Sequence, residues 1–229
     1  MGNFLNIDGP FMSSLNKIAD VLILNLLFVV CCLPVFTIGA AYTAMYYVTL
    51  KMVKDEDCYT FKSFFKSFKQ NFKQATVIWL IMLLIGIIIV GDLKIMGGDY
   101  AQVIPTSGVV VKAMNVLLLS AILIYSFTLV YVFPVLSRFD NTVKNTLKNS
   151  LLMSIRHFPS TLAIIAITFI PIIFMYLVPK ALILMFMVFG LSAYLNSCLF
   201  VKIFKNYMPE TTITSDEDFS IVMDEEEAK

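Results

Sequence analysis

The side chains that could do chemistry are few, and they sit in apolar surroundings. Asn25, Thr37, Thr43, Ser120, Ser126, Thr128, Thr168, Ser192 and Asn196 interrupt long apolar runs, which hold no Asp, Glu, Lys, Arg or His away from their ends. Proton relays and ion-coupled carriers place an ionisable group near the bilayer midplane, because its cost there is tolerated only for function. These runs lack that signature. Asn25 and Asn196 are expected to hydrogen-bond between helices. Their competing use is a polar path for a small solute, passing Asn25, Thr43 and Asn196.

The single histidine, His157, stands beside Arg156 and Pro159 without nearby carboxylates, so it makes neither a metal site nor a triad. Cys31, Cys32, Cys58 and Cys198 have no C-x-x-C or Cys/His spacing. They read as small packing residues, with a redox or acylation site as the alternative. Walker A, G-x-S-x-G and H-E-x-x-H patterns do not occur in the chain. The expectation is a protein that is not an enzyme, with no catalytic residues, cofactor or metal. Any ATP hydrolysis would come from another chain.

One segment carries a pattern instead of a catalytic group. At 100° per residue, Phe61, Phe64, Phe65, Phe68 and Phe72 fall on an arc about 100° wide, and Lys62, Lys66, Lys69 and Lys73 on a neighbouring arc about 60° wide. This suits an amphipathic helix over residues 60–74 lying in the cytoplasmic interface, Phe in the acyl boundary and Lys near phosphates. Two other readings stand beside it: a Phe stripe packed under the other helices, and a helix that docks a cytoplasmic partner. A second basic segment repeats the design, with Phe139, Val143, Leu147, Leu151 and Ile155 at helical spacing beside Lys144 and Lys148.

The elements that position these residues follow from composition. The chain has 229 residues, of which 59% are hydrophobic and only 14% charged, an excess of apolar surface that calls for lipid. The net charge of +1 hides a Lys-rich block at 51–73 and an acidic tail at 210–227, and argues for no nucleic acid. A span needs roughly 20 apolar residues. Residues 75–94, 113–136, 160–178 and 181–201 meet that need. Residues 18–50 are too long for one crossing and suit two helices joined at 33–39, where Pro34 disfavours helical geometry at Leu33. Thr37 would cap the second helix, and Gly39, Ala40, Ala41 and Ala44 would pack it closely on the first. One long kinked helix is the alternative, and gives five spans instead of six. The weak charge before residue 18 argues against a cleaved leader.

Lys and Arg in short loops set orientation. Lys51, Lys54, Lys62, Lys66, Lys69 and Lys73, then Arg138, Lys144, Lys148 and Arg156, then Lys202 and Lys205, fall on one side of a six-span arrangement. That side is cytoplasmic, which puts both termini inside. The sequence therefore predicts an all-α, polytopic bundle of about six spans over residues 1–207, in a bacterial cell membrane, and an acidic, disordered cytoplasmic tail over 208–229. Gly39, Lys51 and Lys54 share their spacing with Gly190, Lys202 and Lys205, which suggests a duplicated unit.

Several stretches together resemble a known family. They are Leu24-Asn25-Leu26, the run Leu33-Pro34-Val35-Phe36-Thr37-Ile38-Gly39-Ala40-Ala41, then Thr43-Ala44-Met45-Tyr46-Tyr47, the Phe-rich block ending Asn71-Phe72-Lys73-Gln74-Ala75, and Phe133-Pro134 with Arg138-Phe139-Asp140. This order is similar to the YesL-like family of bacterial membrane proteins of unknown function, from about Phe11 to Tyr207. The resemblance implies an accessory part in sugar uptake, because such proteins are commonly encoded beside carbohydrate ABC uptake systems; it transfers no catalytic or binding residues. The expected partners are the lipid bilayer and the permease or ATPase subunits of an ABC transporter. A self-sufficient small-solute transporter or channel is the second hypothesis.

Overall fold

The computed structural model describes residues 10–56, 59–97, 108–177 and 182–208. They form seven α-helices: α1 (Pro10–Cys32), α2 (Ile38–Val53), α3 (Thr60–Gly97), α4 (Gly108–Leu136), α5 (Val143–Arg156), α6 (Phe158–Leu177) and α7 (Leu182–Lys205). Among the described residues there is no strand.

The first break falls where proline chemistry puts it. Pro34 adopts an extended conformation, and Val35–Thr37 form one 3-10 turn before α2. Thr37 stands at the N-cap position but does not cap α2. Its Oγ1 instead lies 2.5 Å from the Cys31 carbonyl and 2.6 Å from the Pro34 carbonyl, tying the turn back to the end of α1. The two helices then run antiparallel. Near the tip, the rings of Phe28 and Tyr42 meet at 5.5 Å, and at the far end Lys17 pairs with Asp55 at 2.5 Å. A single kinked helix is therefore excluded.

Helix α2 is the centre of the molecule, packed by α1, α3, α4 and α7, and Gly39, Ala40, Ala41 and Ala44 are all buried. The close approach at Gly39 is not to α1, as the sequence suggested, but to α3 and α4. A Cβ there would meet the Ala75 carbonyl oxygen at 2.6 Å, Trp79 Cβ at 2.7 Å and Phe133 at 3.1 Å.

Helix α3 also departs from expectation. It is continuous over 38 residues, about 57 Å, so the Phe/Lys segment and the following apolar stretch share one axis. Residues 60–74 are therefore not a separate helix but the first half of a longer one. The hairpin tip reaches only halfway along α3, where Trp79 Nε1 donates to the Val35 carbonyl at 2.8 Å. Residues 80–97 extend about 27 Å further. They run beside α4, where Tyr125, just past its midpoint, crosses over Gly86. This two-helix arm is largely exposed and apolar, with Leu84, Ile87, Val116 and Leu119 among its outward side chains.

Helix α5 folds back along α4, and α6 leaves it at an angle of 106°. Among the described residues, Thr60–Ile95, Gly108–Leu136 and Val188–Lys205 are each long and apolar enough to cross a membrane. The bent pair of α5 and α6 makes a fourth if it counts as one span. Among the described residues the chain is an all-helical membrane protein with three or four candidate spans, and the expected count of about six is not established by them. Helix α2 by itself is short for a crossing, its 16 residues giving about 24 Å against a hydrocarbon core of about 30 Å.

Candidate functional site

The Phe/Lys half of α3 is sorted by the fold into two faces. Phe64 is fully buried, and Phe65, Phe68 and Phe72 are half-buried against the same core. Their rings form a ladder, with Phe64–Phe65 at 5.6 Å and Phe68–Phe72 at 5.5 Å. Phe61 stays exposed at the start of the helix, 4.9 Å from Phe65. Lys62, Lys66, Lys69 and Lys73 all point outward. The Phe stripe is thus packing, one of the three sequence readings, and the Lys row remains as the surface.

The start of this helix is anchored by charge. Thr60 donates to Asp20 at 2.8 Å, joining α3 to α1. Beside it, Glu56 faces Lys54 at 3.6 Å and Arg138 at 3.8 Å. Burial pushes the Lys54 ammonium below its usual range and Arg138 pushes the same way, while Glu56 opposes them. The Asp55 hydrogen bond raises the Lys17 pKa. Basic residues from α1, α2 and the turn after α4 therefore converge where α3 begins.

A polar seam runs through the bundle interior. Asn196 links three helices, donating to Thr168 at 3.0 Å and to Tyr46 at 3.4 Å, as the interhelical reading requires. Thr49 and Ser197 share a hydrogen bond of 2.7 Å, and Tyr131 and Thr161 one of 2.9 Å. Thr43 turns back on its own helix, donating to the Gly39 carbonyl at 2.9 Å. Asn25 is different. It is only 2% exposed, beside Gly190 of α7, and both amide atoms lack a hydrogen-bond partner, as does Asn196 Oδ1. The sequence located the two asparagines inside the bundle but not this difference between them.

The second basic segment is the helix α5 that its spacing suggested: Phe139, Val143 and Leu147 pack against the core and Lys144 and Lys148 are exposed, but the stripe fails at its end, where Ile155 is exposed, and small polar residues fill the buried face. Thr146, Ser150, Met153 and Ser154 are buried, while Leu152 and Ile155 are exposed. The small hydroxyls satisfy themselves on nearby carbonyls, Ser150 on Thr146 at 2.7 Å and Ser154 on Leu151 at 2.8 Å. This leaves a slim polar face against α4. Gln74 donates to the Asn141 carbonyl and so joins this region to α3. His157 pairs with Tyr207 at 3.1 Å, fixing the end of α7 to the corner between α5 and α6.

Cys31, Cys32 and Cys198 are free thiols, half-buried in helices, and Cys58 lies outside the described residues, as does the acidic tail beyond 208. Among the described residues no three His, Cys, Asp or Glu side chains gather as a metal site.

Fold and site together define a helical membrane protein whose interior hydroxyls chiefly bond their own helices, whose Asn196, Thr49 and Tyr131 join helices, and whose Lys row lies at the start of its longest helix. Residues 21–93 match the family model described as "Protein of unknown function, DUF624". The matched segment contains the Pro34 turn, the Gly39 contact and the whole Phe/Lys half of α3. No curated protein and no solved structure matches the chain.

Proposed function

We propose that this chain is a multi-pass cell-membrane protein that serves as an accessory or regulatory partner of a carbohydrate ABC uptake system, with no chemistry of its own. The observation that carries the partner role is the Lys row of Lys62, Lys66, Lys69 and Lys73, exposed on a rigid helix that continues unbroken into a membrane span. Such a row fits an acidic surface on a permease or ATPase subunit, and a force on it acts on the whole 38-residue helix. The sugar system rests on the YesL-like resemblance alone.

The basic loops and both termini are cytoplasmic in this reading, as the positive-inside rule directs. Six spans would need the α1–α2 tip at the outer surface. Two observations favour a hairpin that enters from the cytoplasmic side and stops within the bilayer. Its tip is level with the middle of α3, and its tip residues Leu33, Val35 and Phe36 are exposed and apolar.

The competing reading, a self-sufficient transporter or channel, draws support from the unpartnered Asn25 amide. Purification of the intact protein from its own membranes in mild detergent separates the two. Stoichiometric recovery of permease or ATPase subunits supports the partner role. Recovery of the chain alone, with solute flux in proteoliposomes that contain only this protein, overturns it.

A further inference from the structure

The outer halves of α3 and α4 do not close on each other. Between them, with α5 at one end, lies an open groove of about 1140 Å³. Its walls are branched and apolar, among them Ile85, Ile88, Leu117 and Ala121, and polar groups occur chiefly toward its ends. At the α5 end stands Lys148, and toward the other stands Asp92. Lys144 lies one helical turn before Lys148, also exposed.

Water does not fill an apolar groove of this kind when hydrocarbon surrounds it, so the occupant is a chain of methylenes or another helix. Charge decides between them. A cation at the cytoplasmic end of a groove between spans is the arrangement that receives an anionic lipid headgroup. The volume of about 1140 Å³ lies slightly above the roughly 300–1,000 Å³ of small-ligand sites and suits an amphiphile.

We propose that this groove is a binding site for an anionic phospholipid, with acyl chains along α3 and α4 and the headgroup phosphate on Lys148. The proposal rests on the membrane reading but not on the sugar-uptake partner, and its test is independent of co-purification.

The full-length protein is reconstituted into nanodiscs of phosphatidylglycerol and phosphatidylcholine in equal parts. A trace of either lipid carries a photoreactive acyl chain, and labelled peptides are mapped by mass spectrometry. The anionic probe is expected to label residues 81–95 and 109–125 about fivefold more than the zwitterionic one, the factor expected of a single lysine near a phosphate. Lys148→Gln should equalise the two probes, and Ala121→Trp should exclude both. Lys202→Gln, on the exposed surface of α7, should change nothing. Equal labelling by both probes in the unaltered protein would overturn the site. So would an undiminished preference in Lys148→Gln, an equal loss in Lys202→Gln, or crosslinks from the groove to a second protein chain in place of lipid. Should Ala121→Trp fail to fold, the exposed Lys148 position decides by itself.

Discussion

Gly39 lies so close to Ala75 that a Cβ built on it would stand 2.6 Å from the Ala75 carbonyl oxygen. That atom is backbone and cannot swing aside, and Trp79 Cβ closes the other side at 2.7 Å. Replacing glycine with alanine inside a helix ordinarily gains about 1 kcal/mol, but overpacking costs about 1–3 kcal/mol, so the clash wins. Gly39→Ala is expected to lower thermal stability in detergent, and Gly39→Leu to prevent folding. Gly91→Ala has open space around it and should be neutral or stabilising. Leu26→Ala, at a side chain 67% exposed, should also be tolerated. Equal tolerance at positions 39 and 91 would mean that α2 and α3 do not touch as described.

The two buried asparagines should respond in opposite directions. Asn196→Leu removes hydrogen bonds to Thr168, which keeps its bond to the Ile164 carbonyl, and to Tyr46, a loss of about 1 kcal/mol. Asn25→Leu removes two amide atoms that have no partner, so it should hold or raise the melting temperature. A fall for Asn25→Leu as large as that for Asn196→Leu would show that Asn25 is satisfied in the membrane.

The Pro34 turn depends on one hydroxyl. Thr37→Val keeps the shape of the side chain but takes the hydroxyl donor from the Cys31 carbonyl, while the Pro34 carbonyl keeps the Thr37 N–H at 3.0 Å; this should cost about 1 kcal/mol in thermal unfolding. Thr37→Ser should restore most of it. If serine and valine behave alike, the hydroxyl does not hold the turn.

Membrane depth can be read by cysteine labelling in a background without the native thiols. An impermeant reagent added outside should reach a cysteine at 95 and not one at 36, because the hairpin tip is level with Trp79 in the middle of α3. Labelling at 36 from outside would restore the full crossing of α1 and α2 and the count of six.

Much of this architecture was legible in the residues. Pro34 marked the break, the small residues from Gly39 to Ala44 marked the tightest helix, and Asn196 marked a link between spans. The errors have physical causes. The boundary set at residue 74 followed a change of composition, yet no Pro or Gly lies between Thr60 and Ile85, so nothing ended the helix. In α5 the stripe held for Phe139, Val143 and Leu147, which pack on the core, and failed at Ile155, while the small polar residues beside it were missed as a buried face. Near lipid, apolar residues such as Ile155 face outward, while Thr146, Ser150 and Ser154 let helices approach. The partner of Gly39 was not legible because small residues announce a close contact without naming the other side.

The partner role is tested most directly on the Lys row itself. A photo-crosslinking amino acid placed at position 69 or 73 of the intact protein in its own cells, with growth on the inducing carbohydrate, should capture a permease or ATPase subunit of an ABC transporter. Reversal of Lys62 and Lys66 to Glu in the same chain should abolish the capture while leaving the protein in the membrane. Crosslinks to lipid alone at both positions, unchanged by the charge reversal, would contradict the proposed function.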